Sequence, residues 1–154
     1  MNRETNASGG TLVEQARALL SGQKDLIANA ANLSALLFME FGDISWAGFY
    51  FLRGDKLVLG PFQGKPACVS IPMGKGVCGT AAASRTTQRV ADVHSFAGHI
   101  ACDVNARSEV VVPLILHGVL IGVLDIDSAT PGRFNGQDQE VIEQLAETYL
   151  VSID

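Results

Sequence analysis

Apolar positions recur at spacings of three and four through the first quarter of the chain. TLVEQARALL (11–20) reads as a first helix, with Thr11 and Glu14 in the form of a capping box. Gly22 interrupts it. KDLIANAANLSALLFMEF (24–41) continues as a second, with Leu26, Ile27, Ala30, Leu33 and Leu37 on one buried face. The polar, glycine-ended MNRETNASGG (1–10) reads as a disordered tail before a single domain over 11–154.

After Gly42 the period changes to that of strands. ISWAGFYFLR (44–53) is aromatic and apolar, Gly54-Asp55 is a turn, and KLVLGPFQG and CVSIP (68–72) follow as further strands. VCGTAAASR (77–85) is a short helix behind a glycine-rich loop, and TQRVADV (87–93) alternates as a strand. Residues 94–109 have no period and read as a long loop or an irregular helix, and a long loop is often functional in a compact domain. EVVVPLIL and VLIGVLDID form a hairpin around His117-Gly118, and Asn135 starts a last helix. Hairpin-like joins dominate. The expected fold is therefore α+β, a mainly antiparallel sheet with the N- and C-terminal helices on one face.

Composition narrows the function classes. With 47% apolar and 18% charged residues, the 154-residue chain is that of a folded domain with one core. A net charge of −5 without a lysine or arginine run gives no reason to expect nucleic acid. No apolar stretch has membrane-spanning length and no signal-peptide pattern opens the chain, so the expected location is the cytoplasm. The three cysteines, Cys68, Cys78 and Cys102, are odd in number and lack a C-x-x-C, which argues against a disulfide framework and a structural zinc site. They are either small buried hydrophobes or redox thiols, and on counts alone the first reading leads.

Two glycine motifs fail as nucleotide sites. Gly74 to Gly79 matches G-x-G-x-x-G, but the helix behind it is too short and no acidic residue follows at the required distance, so it reads as a tight turn. Gly60 to Lys65 is one residue short of a phosphate loop, and Pro66 stands where Ser or Thr is needed.

The strand VLIGVLDID ends in Asp125 and Asp127, whose period-two spacing puts both carboxylates on one face. A strict two-residue turn at His117-Gly118 would point Glu109 away from them. A three-residue turn, or a bulge at Pro113, would set Glu109 opposite Asp127. These acids either mark a solvated hairpin mouth or converge. If they converge, mutual repulsion raises at least one pKa, giving a general acid beside an ammonium site, or else a hard-metal site. Trp46 and Tyr50 share a strand face with Gly48 between them: a core pair, or a wall for a small apolar group. Cys102 lies in the aperiodic loop with His99, Asp103, Asn105 and Arg107, where a cationic neighbour and partial exposure favour a thiolate.

WAGFY (46–50), GPFQGKPACVSIPMGKGVCGTAA (60–82), HIACD (99–103), SEVVVPL (108–114) and GVLDID (122–127) together resemble one family, the GAF-domain free methionine-(R)-sulfoxide reductases. The resemblance runs from about the second helix to the end and takes in the three cysteines, the acidic trio and the aromatic pair. It implies that Cys102 attacks the sulfoxide sulfur, that Cys68 is the main resolving thiol and that Cys78 is a second thiol able to pair. It implies that Glu109, Asp125 and Asp127 bind the substrate ammonium and protonate or stabilise the sulfoxide oxygen. Trp46, with Tyr50 alongside, would hold the S-methyl group. It further implies a homodimer recycled by thioredoxin, with no cofactor and no metal. Two other readings stand beside it: a stand-alone ligand or oxidant sensor, and a metal-dependent enzyme using the carboxylates.

Overall fold

A computed structural model describes residues 9–100, 102 and 105–154. Its elements in chain order are α1 (Gly9–Leu20), α2 (Leu26–Glu40), β1 (Trp46–Arg53), β2 (Lys56–Gly64), β3 (Ser70–Pro72), α3 (Gly76–Ser84), β4 (Gln88–Val90), β5 (Ser108–Leu116), β6 (Val119–Ser128) and α4 (Gly136–Ile153). The six strands form one antiparallel sheet in the order β3-β2-β1-β6-β5-β4.

Local chemistry starts α2 and α4. The Asp25 carboxylate accepts from the Ile27 and Ala28 amides at 3.0 and 2.8 Å, and Asn135 forms a capping box with Asp138. The start of α1 departs from the expectation at Thr11. The helix begins at Gly9, so Thr11 lies inside it, and of the expected tail only residues 1–8 fall outside the described residues. A Cβ on Gly9 would overlap Val141 of α4, so this extra turn is fixed by close packing against α4, which a local motif does not report.

Alternation along the central strands gives the sheet two different faces. Ala47, Phe49 and Phe51 of β1, Val110, Val112 and Leu114 of β5, and Leu124 and Ile126 of β6 pack against α1, α2 and α4. The opposite face carries Trp46, Tyr50, Val111 and Val123 under α3 and the loops. The expected sheet, with the terminal helices on one side, is the observed one.

The β5–β6 register is decided by one extra residue. His117 and Gly118 have φ of +49° and +78°, so the turn has two residues, and Leu116 pairs with Val119. Between Leu114↔Gly122 and Ile115↔Leu120 the pairing shifts, with Ile121 as the inserted residue. Beyond that bulge Glu109 faces Asp127. The bulge is thus in β6 and not at Pro113, which pairs regularly with Val123. Pro113 is tolerated because β4 ends its pairing at Val111, so no partner on that side needs the missing N–H.

Candidate active site

The register builds a grid on the sheet face away from the three long helices. Asp127 of β6 lies between Trp46 of β1 and Glu109 of β5, and Asp125 lies between Gly48 and Val111. Tyr50 is one step further along, paired with Val123. Three adjacent strands therefore bring the acidic trio and the aromatic pair together. The rows also explain Gly48. A Cβ there would overlap Phe62 and sit 2.8 Å from Trp46 Cη2, so the bare backbone leaves space that the indole fills.

A cavity of about 50 Å³ opens over this grid, lined by Trp46, Tyr50, Cys78, Cys102 and the three acids. Its aromatic wall is a stack: Trp46 lies between Tyr50 and Phe62, with ring centroids 5.9 and 5.2 Å away. Phe62 was not among the sequence-derived candidates. Its signal was its place across from a strand glycine, which only the β1–β2 register reveals.

α3 lowers Cys78 onto the acids. The glycines of 74–79 serve as the tight turn expected of them: Gly74 and Gly76 have φ of +79° and +64°, and Gly79 sits against the Pro72 carbonyl. Cys78 Sγ is 3.8 Å from Glu109 Oε1, and the thiol is buried. Burial, reinforced by Asp125 and Glu109, pushes its pKa well above the ordinary thiol range. Glu109 is likewise pushed well above the carboxyl range, by burial first and Asp125 second, and Asp125 by burial first and Asp127 second. Both shifts favour the neutral carboxyls over the carboxylates. Repulsion contributes as expected, but removal from water is the larger cause. Asp125 Oδ1 is buried with no hydrogen-bond partner among the described residues.

Cys102 is half-buried at the mouth of the cavity and forms a disulfide with Cys68, with Cα atoms 5.2 Å apart. Cys78 is the free thiol. Of the neighbours considered for Cys102, His99 also lines the cavity. Arg107 instead turns to Asp92, at 3.4 Å. Asp103 lies outside the described residues. His117 sits in the β5–β6 turn and meets Asp154, away from the site.

Such an arrangement can bind a small cation among carboxyls, donate a proton, hold an apolar group against an indole and cycle two thiols. Ligand atoms of Cys78, Glu109 and Asp125 also lie within 4.8 Å of one another, a donor set that fits a metal ion as well as an ammonium.

Residues 24–154 match the GAF domain family model. The chain is 56% identical over 128 residues to the free methionine-R-sulfoxide reductase of Escherichia coli, covering 83% of this chain and 78% of that protein. It superposes with a TM-score of 0.92 on the structure of fRMsr of Staphylococcus aureus in complex with substrate, at 48% identity and 96% coverage of each chain. The TM-score is also 0.92 for the free methionine-R-sulfoxide reductase of Neisseria meningitidis in complex with its substrate, at 39% identity, covering 99% of this chain and 92% of that one.

Proposed function

The chain belongs to the GAF-domain free methionine-(R)-sulfoxide reductases, and on that footing we propose that it reduces free methionine-(R)-sulfoxide with Cys102 as the attacking thiol and Cys68 as the resolving one. The observation that carries this reading is the Cys68–Cys102 disulfide, whose Cys102 lines the same cavity as buried acids with raised pKa values.

The substrate ammonium sits among Glu109, Asp125 and Asp127, and the S-methyl group lies against Trp46 and Tyr50. The Cys102 thiolate attacks the sulfoxide sulfur while Glu109 or Asp127 supplies a proton to its oxygen. The hydroxyl passes from the substrate sulfur to Cys102 Sγ as the substrate sulfur–oxygen bond and the transient bond between the two sulfurs break. Methionine leaves reduced by two electrons, and Cys102 is left oxidised by two as a sulfenic acid. The Cys68 thiolate then attacks the Cys102 sulfur, expelling the oxygen as water and closing the disulfide. An external dithiol of the thioredoxin type, in a cytoplasmic setting, reopens it. Cys78, kept protonated by its burial, is the slower alternative partner for Cys102. The enzyme acts as a homodimer and needs no metal for the reduction.

Single-turnover assays on reduced protein test the thiol roles. Cys68→Ser releases one methionine per chain and then stalls, whereas Cys102→Ser releases none. Stoichiometric methionine from Cys102→Ser would place the nucleophile elsewhere, and loss of native turnover in chelator would move the metal reading ahead. Substrate scope tests the acids. An N-acetylated, C-amidated sulfoxide offers no ammonium and leaves the buried carboxyls unmatched, so it is expected to turn over far more slowly than the free amino acid. Equal rates on both, or preference for the S epimer, would refute the assignment of the trio.

A further inference from the structure

The two aromatic residues of the wall also carry polar atoms, and both donate to one stretch of backbone. Trp46 Nε1 donates to the Lys65 carbonyl at 3.1 Å, and the Tyr50 hydroxyl donates to the Cys68 carbonyl at 3.0 Å. Residues 65–69 lie between β2, which ends at Gly64, and β3, which begins at Ser70. Sheet pairing therefore does not run through this segment. From the β2 side it is tied by the Leu59 amide to the Val69 carbonyl, at 2.9 Å. Pro66 has no N–H to offer.

We propose that Tyr50 is a positioning residue for disulfide closure, its hydroxyl holding the Cys68 backbone where the thiol can reach Cys102. The proposal rests on the reading of Cys68 as the resolving thiol. Tyr50 suits this task because its ring is held on every side: it is 2% exposed, it stacks with Trp46 and it stands on the central strand β1. Its hydroxyl remains a donor, since burial, with Asp125 and Cys78 behind it, pushes the phenol above its ordinary pKa.

The geometry of closure is narrow. A disulfide needs Cα atoms about 4.4–6.8 Å apart with the Cβ vectors converging, and here they are 5.2 Å apart. The Cys68 side of that pair is set by an irregular segment whose carbonyl is gripped by Tyr50. Without the hydroxyl the segment samples positions outside this window, and the thiolate reaches the sulfenic sulfur less often. The balance of the step is unchanged: the Cys68–Cys102 bond forms, the Cys102 S–O bond breaks and water leaves. The same ring that contacts the substrate's methyl group thus fixes the thiol that acts after product departs.

Tyr50→Phe keeps the ring and removes the oxygen. Reduced native and variant proteins are mixed with limiting free methionine-(R)-sulfoxide. Methionine release, disulfide formation and dimedone-trapped Cys102 sulfenate are then followed by quenched mass spectrometry. The expected result is a fall of about 10- to 100-fold in the ratio of disulfide closure to methionine release, with more sulfenate trapped. A small added thiol is expected to discharge the variant's sulfenate as fast as the native one, since that thiol does not depend on the segment. A merely structural lesion would slow release, closure and discharge together, and that outcome overturns the proposal. So does a variant in which closure keeps pace with release as in the native protein. Absence of a Cys68–Cys102 disulfide in the native chain after turnover would instead refute the resolving role of Cys68, and the positioning role with it.

Discussion

Burial raises the pKa values of Glu109 and Asp125, and this ties stability to pH in a defined direction. Their folded pKa values lie above the unfolded ones, so the folded state binds more protons. The stability this contributes is complete below the unfolded carboxyl range, about pH 4, and is lost as pH rises through the folded values. Thermal unfolding without substrate is therefore expected at progressively lower temperature from acid to alkaline pH. Glu109→Gln and Asp125→Asn cannot ionise and should flatten that slope and raise the melting temperature at pH 8, while cutting methionine release by about 10²–10⁴-fold if the lost group is the general acid. A variant that melts lower than native at pH 8 would show that the carboxyls are stabilising as anions. Asp125 and Asp127 were legible at a period-two spacing, and Glu109 as their partner only for an irregular hairpin. The raised pKa values of Glu109 and Asp125 follow mainly from burial, which no spacing announces. Arg107 shows the converse: its charge lies near Cys102 in sequence, but the fold spends it on Asp92.

At the level of elements, features with local causes were readable and those with tertiary causes were not. The Gly54-Asp55 turn, the His117-Gly118 turn and the Asn135 cap each follow from the residues present. The irregularity that the sequence offers as a three-residue turn or as a bulge at Pro113, proline being the visible irregularity, is instead the β6 bulge at Ile121. The sheet hides Pro113 beyond the end of β4 and bends β6 beside Gly122, where a Cβ would overlap the Tyr50 carbonyl. Close approach across β1 is thus a demand of the whole sheet. Gly48 makes the same demand at the site. Gly48→Ala forces its methyl against Phe62 and Trp46, an overpacking that costs about 1–3 kcal/mol and displaces the indole. Thermal unfolding should show the loss, and steady-state kinetics should show KM for the free sulfoxide rising more than kcat falls. An unchanged KM would mean that Trp46 is a core residue without a substrate role.

For the molecule as a whole, the sheet separates a helix-packed core from a face whose cover includes two loops joined by the disulfide. α1, α2 and α4 pack on the far side, and the disulfide lies on the other. Cys68 and Cys102 are 34 residues apart, and closing a loop of that length removes unfolded-state entropy worth about 4 kcal/mol in the chain-entropy treatment. For a domain of this size each kcal/mol moves the melting temperature by about 2–4 °C, so oxidation is expected to raise it by about 10 °C. The reduced chain is then the less stable form, and in the proposed cycle each turnover would pass through a more stable one that the proposed dithiol reductant would have to undo. Melting curves of the reduced and oxidised native protein measure this directly. Cys68→Ser provides the control: it cannot form this bond, so its melting temperature should lie near that of the reduced native chain and should not rise by the same amount on oxidation. An equal rise in Cys68→Ser would assign the stabilisation to a bond between Cys78 and Cys102, and would mean that the burial of Cys78 under α3 gives way when Cys102 is oxidised.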